Sequence, residues 1–164
     1  MAYAIFRSDL MWATKNPAGI VNLKYSPSGT DTPIENGNVV LLGDLDTNER
    51  DVFIAGTPAA NSAIGSIAIV AEPEVMADER MKNLNEFRNP AGAVVRGYKL
   101  HSGDMFSVTS DAVTPVTGTA PAADQIVELQ QDTKLKLVTT PTSQSTQIGT
   151  VIRIEGDYIV IQVV

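Results

Sequence analysis

This chain predicts a mainly β fold, an antiparallel β-barrel or sandwich of about nine short strands with one helical insertion. Three observations lead there. Short runs rich in Val and Ile recur along the sequence, each bounded by Gly, Pro, Asn, Asp or Ser clusters of turn chemistry. The stretch Gln147 to Val164 contains a hairpin whose register can be derived. Only one segment, 72–88, carries helical spacing. With 43% hydrophobic but only 5% aromatic residues, the core has to be built of Val, Ile, Leu and Ala.

The hairpin turns at Gly156-Asp157. A two-residue loop with Gly first suits a type II′ turn, which sets Glu155 opposite Tyr158, Ile154 opposite Ile159, Arg153 opposite Val160 and Ile152 opposite Ile161. Because side chains alternate with period two, Ile152, Ile154, Ile159 and Ile161 are expected on a buried face, with Arg153, Glu155, Tyr158 and Gln162 on the wetter one.

From the N-terminus, residues 1–25 show neither a sustained helical nor a strand period. This segment holds Tyr3, Phe6 and Trp12, the last being the only tryptophan. It reads either as an arm that packs on a partner, with Tyr3, Phe6 and Trp12 as candidate contacts, or as a segment docked on the β domain with Trp12 as a core plug. Residues 26–38 are successive turn signals. Val39 to Leu45, Asp51 to Ala55 and Ile67 to Val70 read as strands, and the unbroken Val39-Val40-Leu41-Leu42 suggests a strand covered on both faces.

In 72–88, Pro73 suits a first helical turn. Glu72, Glu74, Asp78 and Glu79 lie toward the positive end, Arg80, Lys82 and Arg88 toward the negative end, and Asn89-Pro90-Ala91-Gly92 stops the helix. Val94 to Leu100 and Met105 to Thr109 are expected as a second hairpin turning at Ser102-Gly103, followed by Val113. Residues 114–124 form a Thr/Pro/Ala loop that could split the 26–164 domain into two subdomains. Gln125 to Leu129 and Lys134 to Thr139 are a further strand pair, and Thr140 to Thr146 a second polar loop. Lys15-Asn16-Pro17-Ala18-Gly19 leading to Tyr25 echoes Arg88-Asn89-Pro90-Ala91-Gly92 leading to Tyr98. Both are one device, a Pro/Gly stop feeding a strand that ends in Tyr, rather than a repeat.

The 164-residue chain has a net charge of −7. Residues 1–25 carry +2 (Arg7, Lys15 and Lys24 against Asp9), leaving −9 for the body. An acidic body argues against a general nucleic-acid binder, whose phosphate contacts need a basic surface. There are no cysteines, so neither a disulfide framework, a thiolate metal site nor a Cys nucleophile is expected. No secretory signal is legible at the start, and no apolar run approaches the roughly 20 residues that span a bilayer, so no membrane association is expected.

Catalytic and metal signatures read as turns. Asp44-Leu45-Asp46-Thr47-Asn48 opens like a calcium loop, but Glu49 stands where that loop needs Gly and Ala55 where it needs Glu, leaving a solvated hairpin turn. The lone His101, in His101-Ser102-Gly103-Asp104, reads as a hairpin tip rather than a triad member. No carboxylate pair can be nominated for glycosidase chemistry, and no glycine-rich phosphate loop follows a strand. The residues therefore nominate no catalytic or metal site, and an enzyme is not expected.

Several stretches together resemble a known family: Glu35-Asn36-Gly37-Asn38-Val39-Val40-Leu41-Leu42-Gly43; Thr57-Pro58-Ala59-Ala60-Asn61-Ser62; Pro73-Glu74-Val75-Met76; Arg96-Gly97-Tyr98-Lys99-Leu100 with Gly103-Asp104-Met105-Phe106-Ser107-Val108; and Ile148-Gly149-Thr150-Val151 with Gly156-Asp157-Tyr158. They look like head decoration (cement) proteins of tailed bacteriophages of Gram-positive hosts, and the likeness covers nearly the whole chain. The resemblance implies a structural virion protein made in the host cytoplasm and located on the capsid exterior. It would bind the major capsid protein and stabilise the shell, with self-association on the lattice left open and no cofactor. The alternative function is a virion surface module that binds host carbohydrate or cell wall through 114–124 and 140–146. A small β-barrel hydrolase is the third reading.

Overall fold

The computed structural model describes residues 3–7, 19–75 and 86–164, and the fold is mainly β. Among the described residues there are eleven strands: β1 Ile20–Tyr25, β2 Val39–Leu45, β3 Val52–Gly56, β4 Ile67–Val70, β5 Val94–Tyr98, β6 Met105–Thr109, β7 Val113–Thr114, β8 Ile126–Glu128, β9 Leu135–Val138, β10 Gln147–Glu155 and β11 Tyr158–Val163. They form a closed five-stranded barrel in the order β1-β3-β2-β4-β5, and a six-stranded sheet in the order β6-β11-β10-β8-β9-β7. Pairing is antiparallel except for β1 with β3 and β7 with β9, which run parallel.

Alternation along β2 and β4 joins the two bodies. Val40, Ala68 and Val70 point into the barrel with Leu23, Tyr25, Ala55 and Val95. Their neighbours Val39, Ile67 and Ile69 point outward, into a second core with Phe106, Val108, Val127, Leu135, Leu137, Ile148, Ile159 and Ile161 of the six-stranded sheet. This is the two-sided burial that Val39-Val40-Leu41-Leu42 suggested. Each fully buried aliphatic side chain of this kind contributes about 1.5–3 kcal/mol. The barrel is narrow, and Gly97 is the residue that permits it. A Cβ there would lie 2.5 Å from Leu23 Cδ2 and 3.2 Å from Ala68 Cβ.

The echo between 15–25 and 88–98 has a structural outcome. Its two strands, β1 and β5, pair antiparallel from Ile20 with Tyr98 to Lys24 with Val94, and that pairing closes the barrel. Residues 20–25 thus belong to the barrel wall, although 1–25 showed no strand period. Its outer face carries Ile20, Asn22 and Lys24, so the run Ile20-Val21 hides the alternation.

The expected second hairpin is corrected. Val94 to Leu100 and Met105 to Thr109 do not form a hairpin, because β5 pairs with β1 and β4 while β6 pairs with β11. Residues 99–104 instead carry the chain from barrel to sheet. Their turn is bound to the end of β11: Gly103 N–H donates to the Val163 carbonyl (3.0 Å) and Val163 N–H to the Asp104 carbonyl (2.8 Å). The crossing between bodies therefore lies at 99–104, whereas 114–124 connects β7 to β8 within the second sheet.

The helix expected over 72–88 falls mainly on 76–85, outside the described residues. The described flanks 72–75 and 87–88 are not helical.

In the β10–β11 hairpin, Glu155, Ile154 and Arg153 take the expected partners Tyr158, Ile159 and Val160. Gly156 has φ 59° and Asp157 is not in the positive-φ region, as a II′ turn requires. A bulge then intervenes between Val151 and Arg153, so Ile161 faces Val151 rather than Ile152. Ile159 and Ile161 are buried, but Ile152 and Ile154 are each 40% exposed. Ile152 leaves the face at the bulge. Ile154 keeps its side but extends past the neighbouring strand, since β8 pairs with β10 only as far as Thr150.

Candidate partner-binding surface

The N-terminal candidates separate once placed. Residues 5–7 lie along the outer edge of β6: Thr109 N–H donates to the Ile5 carbonyl and Arg7 N–H to the Ser107 carbonyl, both 3.1 Å, and Phe6 bridges to Val108. An open sheet edge is thereby covered by the chain's own start. Phe6 is 2% exposed and its ring stacks on Phe106 (centroids 5.8 Å) and Tyr98 (6.3 Å). As a partner contact it is corrected to a core residue, because the aromatic ring completes the cluster between barrel and sheet. Tyr3 is half-buried with the Arg88 guanidinium 5.6 Å from its ring centroid. Trp12 lies outside the described residues.

The turn Glu35-Asn36-Gly37-Asn38 fastens these parts together. Glu35 Oε2 accepts from Ala4 N–H (3.1 Å). Asn36 accepts from Glu72 N–H and the Asn89 side-chain amide, and donates to the Glu72 carbonyl and Glu74 Oε1. Glu72, Glu74 and Asn89 are therefore held on one carboxamide. Gly37 N–H donates to the Val70 carbonyl, and Asn38 Oδ1 accepts from the Thr133 hydroxyl of the β8–β9 connection. These short polar side chains in a turn reach backbone groups that the strands leave open.

The residues weighed for chemistry are engaged in turns. Asp46 Oδ1 accepts from Asn48 N–H (2.8 Å), and its carboxylate lies 3.9 Å from Lys24 Nζ. A carboxylate held by a backbone donor and an ammonium is a turn builder. Asp104 Oδ2 accepts from His101 N–H (2.9 Å) and lies 3.6 Å from the half-exposed His101 imidazole, an arrangement that closes the 101–104 turn.

Glu128 was missed by sequence reasoning. It is 0% exposed, with Oε1 accepting from Thr142 N–H (2.6 Å) and Oε2 without a hydrogen-bond partner. Its cross-strand neighbours are Gln147 and Lys136. The carboxylate orients the 140–146 loop from inside the sheet. A strand reading Ile-Val-Glu-Leu puts the acid between apolar residues, which was the available signal.

Among the exposed large apolar side chains on strands, which include Ile20, Leu45 and Val94, two lie close in sequence on the β10–β11 hairpin. At the β10–β11 tip the exposed Ile152 and Ile154 alternate with Arg153 and Glu155, whose side chains pair at 2.7 Å. Behind the tip, the Arg7 guanidinium sits 5.6 Å from the Tyr158 ring centroid. Such a hairpin presents two branched apolar side chains on a stiff backbone with little conformational entropy left to lose, which suits an anchor into a partner's groove. Sequence reasoning named both isoleucines but assigned them to the core. The clue was length, since nine residues of β10 outrun a partner strand bounded by Asp124 and Gln130.

The two polar loops named from sequence each border a groove. One, of about 360 Å³, runs between 114–117 and 136–140. The other, of about 780 Å³, lies between 59–61, Gln131 and 143–146. No helix among the described residues is long and apolar enough to cross a membrane. Compared with known proteins, the chain matches no family model and no curated protein.

Proposed function

We propose that this chain is a structural virion protein that binds the outer surface of a tailed-phage capsid, with the major capsid protein as partner, and stabilises the shell. The sequence resemblance across nearly the whole chain motivates the reading. The observation that carries it in the fold is the β10–β11 hairpin, where Ile152 and Ile154 stand 40% exposed on paired strands. A ligand that binds the assembled lattice and not its free subunits raises shell stability by mass action, and many weak copies act together. The engagement of Asp46, Asp104 and Glu128 in turns and loops supports binding rather than catalysis.

The test is cosedimentation with purified expanded capsids and, separately, with host cell walls. Saturable sedimentation with capsids is expected, lost in I152D/I154D while the thermal midpoint holds. Sedimentation with cell walls alone, or with neither, would refute the reading.

A further inference from the structure

The larger groove is built from three connections that the fold brings together: β3–β4 supplies Ala59, Ala60 and Asn61, β8–β9 supplies Gln131, and β9–β10 supplies Ser143 to Thr146. Its volume of about 780 Å³ falls in the range of small-molecule sites, roughly 300–1,000 Å³. Three carboxamides (Asn61, Gln131, Gln144) and three hydroxyls (Ser143, Ser145, Thr146) line it, beside two alanine methyls. No ionisable or aromatic side chain is among them.

The walls are fixed by bonds that leave these side chains free. Thr146 N–H donates to the Ala60 carbonyl (2.7 Å), which ties the two walls together across the floor, and Leu129 N–H donates to the Thr146 carbonyl (2.9 Å). Ser62 Oγ accepts from Ala59 N–H, and the buried Glu128 holds Thr142. Among the described residues, none of the six lining polar side chains makes a hydrogen bond to another residue. A preorganised site of this kind does not have to order its loops on binding.

Its chemistry selects a ligand class. A carboxamide offers donors and an acceptor, and a hydroxyl offers both, so the lining matches a ligand whose groups also donate and accept at close spacing. An anion would find no cation to offset its desolvation, and an apolar ligand would strip water from six polar groups without replacing their hydrogen bonds. We propose that this groove binds a neutral oligosaccharide. Sugar hydroxyls pair with the amides and serines, and the C–H face rests on Ala59 and Ala60. The site shares no residue with the hairpin tip and stands independently of capsid binding.

The experiment is an amide NMR titration of the full chain with hexamers of α-linked glucose, β-linked glucose and N-acetylglucosamine, with a galacturonic acid hexamer and a neutral Ser/Asn hexapeptide as controls. At least one neutral sugar is expected to give saturable shifts confined to the Asn61, Gln131 and Gln144 side-chain amides and to 143–146. N61A/Q144A should bind about tenfold more weakly, as expected for losing neutral hydrogen bonds, with the thermal midpoint unchanged. Absence of saturable shifts with all three sugars, shifts centred elsewhere, no weakening in the double variant, or equal binding of either control would overturn the proposal.

Discussion

Phe6 and Ile154 exchange the roles that their positions in the sequence suggest. Phe6, in a stretch without strand period, is buried against Phe106 and Tyr98, while Ile154, in the clearest strand of the chain, is half in water. Periodicity reports which side a residue faces but not whether anything lies there. The face of Ile154 was legible, and the end of its cover at Thr150 was not. Phe6→Ala should cost about 3–5 kcal/mol, the usual penalty for removing a core aromatic, seen as a lower midpoint in urea. Ile159→Asp should cost several kcal/mol, roughly that of burying an unpaired carboxylate, whereas Gln162→Asp should leave the midpoint nearly unmoved. Equal loss from Ile159→Asp and Gln162→Asp would contradict the hairpin register. Glu128 gives a sharper contrast. Glu128→Gln keeps an acceptor for Thr142 N–H at nearly the same volume, so its thermal midpoint should stay close to that of the parent. Glu128→Ala orphans that N–H and should fall by about 1–3 kcal/mol.

At the scale of elements, strand content followed from the local pattern and pairing often did not. The β10–β11 turn, a two-residue loop with Gly first, carries its own register, so Glu155, Ile154 and Arg153 were placed correctly from sequence. The His101-Ser102-Gly103-Asp104 turn looked equivalent, but its backbone is bound to β11, and the strands it joins lie in different sheets. Nothing local distinguishes a hairpin from a crossover when the deciding partners, Val163 for the turn and Lys24 for Val94, are distant in sequence. The N-terminal element shows the same limit. Residues 3–7 are anchored by Glu35, Thr109 and Ser107, so deleting Met1 to Lys15 removes Phe6 and uncovers the β6 edge. The truncated chain should melt lower and aggregate more readily, as followed by calorimetry and light scattering. An unchanged melting temperature would restore the dispensable arm. Conversely, I152D/I154D at the exposed tip should melt with the parent, because little buried apolar area is lost.

For the whole molecule, the two-sided burial of β2 and β4 makes barrel and sheet one packed unit, which was partly legible in the unbroken Val39-Val40-Leu41-Leu42. The candidate surface was less legible than the fold. Its apolar residues were visible, but their exposure depends on a bulge and on a missing neighbouring strand. A stiff body with an apolar tip is suited to bridging subunits of a lattice, where each copy resists separation of the surfaces it spans. The account therefore turns on shell stability. The direct measurement is the temperature of DNA release from capsids prepared without this protein, followed by a dye, before and after adding back the purified parent or I152D/I154D. The parent should raise the release temperature saturably, and the double variant should leave it where it was. Equal release temperatures with and without the parent would contradict the account.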